Sequence, residues 1–220
     1  MTRERIRDLV RKRLGETTAS FWSTTELNNW INDAGHDVAY RSKCIKKNGN
    51  VTTTEDDSEY TISSSFPNYV DVLEVYMYQD GATWKKISLT SRDRLDREIP
   101  GWKSANSSTP RKYYYSKEED VLGLYPAPDS DNSGTSYLEV YYADDYTDMS
   151  GDSDTPTDIP MALQLAMIDY VVAVGYETRG YGDKSNDAMG KYMSRIEAYK
   201  VEKNREEDTD EDDCTVSYRS

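Results

Sequence analysis

The chain has 220 residues, a net charge of −14, 36% hydrophobic residues, 19 Tyr and 4 Trp. That length allows one large domain or two small ones, and the many aromatic side chains supply burial that the low aliphatic content does not. A balance this acidic argues against general binding to a phosphate backbone. No apolar signal core follows Met1 and no run reaches the length of a membrane span, which predicts a chain made in the cytoplasm with no membrane partner. Cys44 and Cys214 are far apart, which suits neither a disulfide framework nor a cysteine-based zinc site.

The first helix is predicted over Thr2–Leu14. Ile6, Leu9, Val10 and Leu14 form its apolar stripe, and Gly15 suits the position just past its end. It carries Arg3, Arg5, Arg7, Arg11, Lys12 and Arg13 against only Glu4 and Asp8. A second helix, over residues 24–44, begins with a strong start signal. Ser23 and Glu26 have capping-box spacing, and Trp22 can staple onto Leu27. Leu27, Trp30, Ile31, Ala34 and Val38 then share one helical face. Residues 46–59 read as a loop or hairpin tip, with Asn48-Gly49 as its turn signal.

The period changes from Tyr60 to Tyr142. Tyr60–Ser63 alternates, and residues 70–78 are rich in β-branched and aromatic side chains. Asp80-Gly81 then turns the chain into residues 83–89. Residues 113–115, 121–125 and 137–142 read as further strands, and residues 91–98 as a short helix. Together they predict one mostly antiparallel sheet of five or six strands. Residues 144–159 form an acidic loop with Asp144, Asp145, Asp148, Asp152, Asp154 and Asp158 and no Lys or Arg. A connection this long is functional or mobile. A third long helix runs from Pro160 to about Thr178. A fourth starts near Asp183 or Ser185, with Met189, Tyr192, Met193, Ile196 and Tyr199 on one face. Residues 205–220 hold seven acids against two arginines and predict an acidic tail that does not fold alone.

The fold class expected is therefore α+β. A bundle of about four helices, from residues 1–45 and 160–204, carries an inserted β-sheet region over 46–143. The acidic loop, 144–159, and an extended acidic tail, 205–220, complete it. Leu27, Trp30, Ile31, Leu163, Met167, Tyr170 and Ile196 are the expected core.

Signals for chemistry are sparse. His36 is the only histidine and reads as a structural or surface imidazole, not a metal ligand. Gly175, Gly180 and Gly182 follow a helix and have the wrong spacing for a phosphate loop. No nucleophile elbow is present. Asp152 and Asp154 could open a calcium loop, but the glycine precedes them and no glutamate closes it; a solvated loop is the simpler reading. Glu16, near Phe21 and Trp22, is the least implausible catalytic acid of a glycosidase. No cofactor is expected.

Three blocks of residues, in this order, resemble the head-to-tail connector, or portal adaptor, proteins of tailed bacteriophages. The first is Arg5–Glu16 with Phe21-Trp22-Ser23 and Glu26–Ala34. The second holds Ser65-Phe66-Pro67, Val75-Tyr76, Pro110 before Tyr113-Tyr114, and Leu124–Pro128. The third holds Asp154-Thr155-Pro156, Asp158-Ile159-Pro160 and the helix with Asp169-Tyr170. The likeness extends to about Tyr199. It implies a non-enzymatic homo-oligomeric ring, usually of twelve copies, in the virion at the capsid-tail junction. One face would meet the portal protein, the other tail or nozzle proteins, and double-stranded DNA would pass through the channel without specific binding. It also implies a C-terminal segment reaching the portal, here through Glu206, Glu207, Asp208, Asp210, Val216 and Tyr218. Arg7, Arg11, Asp144, Asp145, Asp148, Asp152 and Asp154 would face a neighbouring subunit or the lumen, where acids repel DNA; an ordinary outer surface is the alternative for the loop. The enzyme alternative is a virion-associated peptidoglycan-cleaving glycosidase, for which no motif stands in the chain.

Overall fold

The computed structural model describes residues 1–16, 21–79, 83–104 and 106–213. The class is α+β, with five α-helices and mostly antiparallel strands among these residues. The chain divides into two compact units. One comprises Met1–Ile45 with the chain from Asp145 onward, and the other is Lys46–Asp144.

The first unit holds α1 (Arg3–Leu14), α2 (Thr24–Ser42), α4 (Met161–Thr178) and α5 (Gly182–Asp213). The helix starts follow from local chemistry. The Thr2 hydroxyl accepts the Arg5 N–H at 3.2 Å, and Gly15 closes α1 in the left-handed region at φ 73°. At α2 both halves of the capping box form: Ser23 Oγ accepts the Glu26 N–H at 3.1 Å, and Glu26 Oε2 accepts the Ser23 N–H at 2.8 Å. Trp22 and Leu27 lie in one core.

That core draws on all four helices through Ile6, Val10, Leu27, Ile31, Leu163, Met167, Ile168, Tyr192 and Ile196. α4 is buried around most of its circumference, including Asp169 and Gln164. Gln164 donates to the carbonyls of Pro156 and Ile159 at 3.2 and 2.9 Å, so its burial leaves its amide satisfied. At Gly175 a Cβ would stand 2.8 Å from Leu14, which is why α1 and α4 approach so closely there. Trp30 and Tyr170, expected in the core, are only half-buried and pack on its edge.

α5 departs from expectation. It runs to Asp213, so the expected tail is helical over residues 205–213. Adding turns to a packed helix needs no new nucleus, which lets polar residues follow its register. Val216 and Tyr218, with Cys214, lie outside the described residues.

The second unit holds two four-stranded sheets rather than one larger sheet. The first has the order β1 (Lys46–Thr53), β8 (Gly134–Asp144), β3 (Tyr69–Gln79), β4 (Thr83–Lys86). The second has β2 (Glu59–Thr61), β7 (Val121–Tyr125), β6 (Lys112–Ser116), β5 (Ser88–Leu89). All neighbours are antiparallel except β5 and β6. Val51, Val75, Met77, Leu138 and Val140 of the first sheet share one core with Tyr60, Tyr113, Leu122 and Leu124 of the second. The short helix α3 (Arg92–Glu98), capped by Ser91, brings Leu95 against Trp102 and Tyr114.

β1 corrects the expected loop over 46–59. Asn48-Gly49 is not a turn but sits inside this edge strand, paired with Tyr141 and Val140. A Cβ on Gly49 would lie 2.6 Å from the Phe66 ring, so glycine serves close packing there. The Asp80-Gly81 turn lies outside the described residues.

Candidate functional site

The acidic connection from Asp145 to Pro160 has no helix or strand, yet it is fastened along the helical unit. Its main anchors are two α1 arginines whose side chains turn inward. Arg3 donates to the carbonyls of Met149 and Ser150, the latter at 2.7 Å. Arg7 grips Asp152 with both arms of its guanidinium, at 2.7 and 3.1 Å. Such fork-to-fork pairing fixes direction as well as distance. The backbone of α1 joins in: the N–H groups of Arg3 and Glu4, unpaired within the helix, reach the carbonyls of Asp154 and Asp152 at 2.8 and 3.1 Å. The acidic strap thereby caps the positive end of α1.

Asp154 folds back on its own loop, accepting the N–H groups of Gly151 and Ser150 at 2.6 and 2.8 Å. Those bonds hold its carboxyl below the usual carboxylate range. Asp152 is lowered too, by the Arg7 hydrogen bond above all. Both loop acids considered for calcium are thus partnered within the chain.

The far end of the strap lies on α2. Asn32 pairs with the Met149 backbone in both directions, at 3.3 and 3.1 Å. His36 sits between two strap acids, with Nδ1 2.8 Å from Asp145 and Nε2 3.0 Å from Asp148. Burial opposes charge on this imidazole, but the two carboxylates outweigh it and raise its pKa. Tyr146 sits edge-on to His36, with ring centroids 5.5 Å apart. Its ring covers Gly35, where a Cβ would come within 2.4 Å of it. Burial pushes the Tyr146 hydroxyl up to about 12.

Arg11 and Glu16 form a separate buried pair at 2.6 Å. Glu16 also accepts the Phe21 N–H, and Arg11 donates to the Trp22 carbonyl at 3.1 Å. The carboxylate considered for general-acid work thus helps hold the approach to α2. In the sheet unit, Asp144 pairs with Lys47 at 2.5 Å.

Of the seven residues assigned to a subunit or lumen face, Arg7, Asp145, Asp148, Asp152 and Asp154 therefore belong to the strap or its anchors. Arg11 pairs with Glu16 and Asp144 with Lys47. Side chains of Asp148 and Asp152 remain 64% and 52% exposed, so the strap is anchored from below and charged above. Sequence spacing could not reveal the anchors, because Arg3 and Arg7 meet partners about 145 residues away. Glu206, Glu207, Asp208 and Asp210 fall on the helical extension of α5.

No helix among the described residues is long and apolar enough to cross a membrane. Comparison with curated proteins finds no match. The profile described as SU10 adaptor protein, however, matches residues 1–214, almost the whole chain. The chain belongs to the SU10 adaptor protein family, a family of phage head-to-tail adaptors.

Proposed function

We propose that this adaptor assembles as a ring of twelve copies at the capsid-tail junction of the virion. In this reading the ring joins the portal to tail or nozzle proteins, and double-stranded DNA passes through it without specific binding. The family match across residues 1–214 carries the proposal. The exposed charge of the strap supports it: Asp145, Asp148 and Asp152, with Arg7 behind them, would turn toward the lumen or a neighbour. Carboxylates lining a channel repel phosphates and let DNA slide. Asp144, Asp154 and Arg11 carry the same subunit-or-lumen assignment. Glu206, Glu207, Asp208 and Asp210, with Val216 and Tyr218 beyond them, would form the portal-facing segment.

The assigned parts are residues 1–45 and 160–204 as the helical bundle, 46–143 as the inserted sheet region, 144–159 as the acidic loop and 205–220 as the acidic tail. The role is structural, not enzymatic. The commitment of Glu16 to Arg11 and to the approach of α2 supports that view.

Mass photometry of the purified chain, with and without its portal, tests the assembly. Portal-bound particles heavier by many copies of 25.2 kDa are expected; portal particles of unchanged mass would contradict it. A peptidoglycan zymogram tests the second claim: no clearing is expected, and clearing by a folded chain would overturn it.

A further inference from the structure

α5 changes character along its length. Ala188, Tyr192 and Ile196 are buried, and Tyr199 packs on the core. Beyond Tyr199 no described residue joins that core, yet the helix continues to Asp213. At 1.5 Å per residue this arm is about 21 Å long. Its last eight residues include seven acids, Glu206, Glu207, Asp208, Asp210, Glu211, Asp212 and Asp213. Carboxylates at a helix C-terminus face the negative end of its dipole and repel one another at i,i+4 spacing. A helical end of this composition gains from cations set against it.

A surface of the opposite sign lies on the same unit, where α1, α4 and α5 meet. A cleft of 370 Å³ is lined there by Arg13, Asp169, Lys184, Asp187, Lys191 and Arg195, among others. Asp169 is buried at its floor, bound by both Arg13 and Arg195. Lys191 meets Asp187 at 2.6 Å across one exposed turn. Lys184 has no carboxylate within reach among the described residues. Its ammonium stands 5.5 and 5.2 Å from the ring centres of Tyr176 and Tyr181. Four cations against two acids leave the cleft positive.

The arm cannot enter its own cleft. Both belong to one continuous helix, and Glu206 lies eleven residues past Arg195, about 16 Å along the axis. We propose that the cleft receives the acidic helical arm of a second copy of this chain. The contact is heterologous, head to tail, and such contacts close into a ring when the rotation fits. The inference rests on the ring reading above and gives that ring one specific joint. This joint would take Glu206, Glu207, Asp210 and Glu211 into the neighbour's cleft and leave Asp208, Val216 and Tyr218 of the portal-facing assignment to the portal.

The test is charge exchange in the full chain, read by sedimentation velocity with and without portal. Lys184→Glu with Lys191→Glu reverses the cleft while leaving Arg13 and Arg195 on Asp169, so the fold is kept; circular dichroism checks this. Glu206→Lys, Glu207→Lys, Asp210→Lys and Glu211→Lys reverse the arm. Each set alone should weaken self-association about tenfold or more, since like charges then face each other. A chain carrying both sets should associate again. Either set without effect, or no recovery in the combined chain, would overturn the proposal. So would a wild-type chain that stays monomeric both alone and with portal. A short DNA duplex bound by the wild type and lost in the cleft variant, with self-association unchanged, would make the cleft a phosphate site and equally overturn it. If the cleft variant fails to alter rings that still form on the portal, only this joint is wrong. If cleft-dependent association occurs but no portal is bound, the joint stands and the portal reading fails.

Discussion

The Arg7 guanidinium holds the Asp152 carboxylate through two parallel hydrogen bonds, at 2.7 and 3.1 Å. Arg7 is 8% exposed, while the Asp152 side chain is 52% exposed. The first residue belongs to the helical unit's interior and the second to the acidic strap. Their pairing fastens a sixteen-residue irregular segment, Asp145–Pro160, to α1.

Arg7→Lys keeps the charge but loses the fork geometry. We expect a lower melting temperature and faster proteolytic cleavage within residues 145–160, with the sheet unit unaffected. Asp152→Asn should do the same at least as strongly, because it leaves the buried guanidinium of Arg7 without its carboxylate. Asp152 has a folded pKa below its unfolded one. Its contribution is therefore full above the ordinary carboxylate range and is lost as pH falls through the folded value. Thermal melts from about pH 3 to about pH 6 should show a shallower acid limb in Asp152→Asn than in the wild type.

His36 works in the opposite direction. Its folded pKa is raised above 6.5 because Asp145 and Asp148 outweigh the effect of burial. Its contribution is full below the unfolded value and disappears as pH rises through the folded one. Melting temperature should decline between about pH 6 and about pH 8, and His36→Gln should flatten that decline. An NMR titration of the ring with a midpoint at or below 6.5 would reject the assignment.

Glu16→Gln tests the buried pair with Arg11. Their side chains are 2% and 10% exposed, so the substitution strands a buried guanidinium charge. The expected loss is about 3–5 kcal/mol in denaturant unfolding. A loss under about 1 kcal/mol would show that the pair does not hold the approach to α2.

Gly35→Ala probes the contact of Tyr146 with α2. The new methyl would overlap the Tyr146 ring at 2.4 Å, so ring and strap must move. Overpacking of this kind costs about 1–3 kcal/mol. Tyr146→Ala in the same chain relieves the overlap, and a double-mutant cycle should report coupling between the two sites.

What was legible in the chain was local. The Ser23–Glu26 capping box, the Gly15 stop and the α2 stripe depend on neighbours within a turn or two, and all are present. Trp30 shares the stripe of Leu27 and Ile31 but lies at its margin, so it is half-buried where they are fully buried; periodicity gives a face but not its width. β1 was hidden because an edge strand can be polar, and the closeness of Phe66 to Gly49 depends on a partner seventeen residues away. The division into two sheets is set by pairings such as β1 with β8, which no local pattern carries. The six cations of the first helix do not share one solvated face: Arg3, Arg7 and Arg11 turn inward to meet acceptors, which charge counting does not show. The family's three blocks were readable because their order spans the chain. The basic cleft was not, since Arg13, Lys184 and Arg195 come together only after folding.

Electron microscopy of the chain mixed with its portal tests the ring assembly. A closed ring of this adaptor seated on the portal is expected, with an open central channel and the Asp148–Asp152 stretch on a subunit or lumen face. Portal particles without added ring density, at concentrations where the adaptor is folded and in excess, would contradict it.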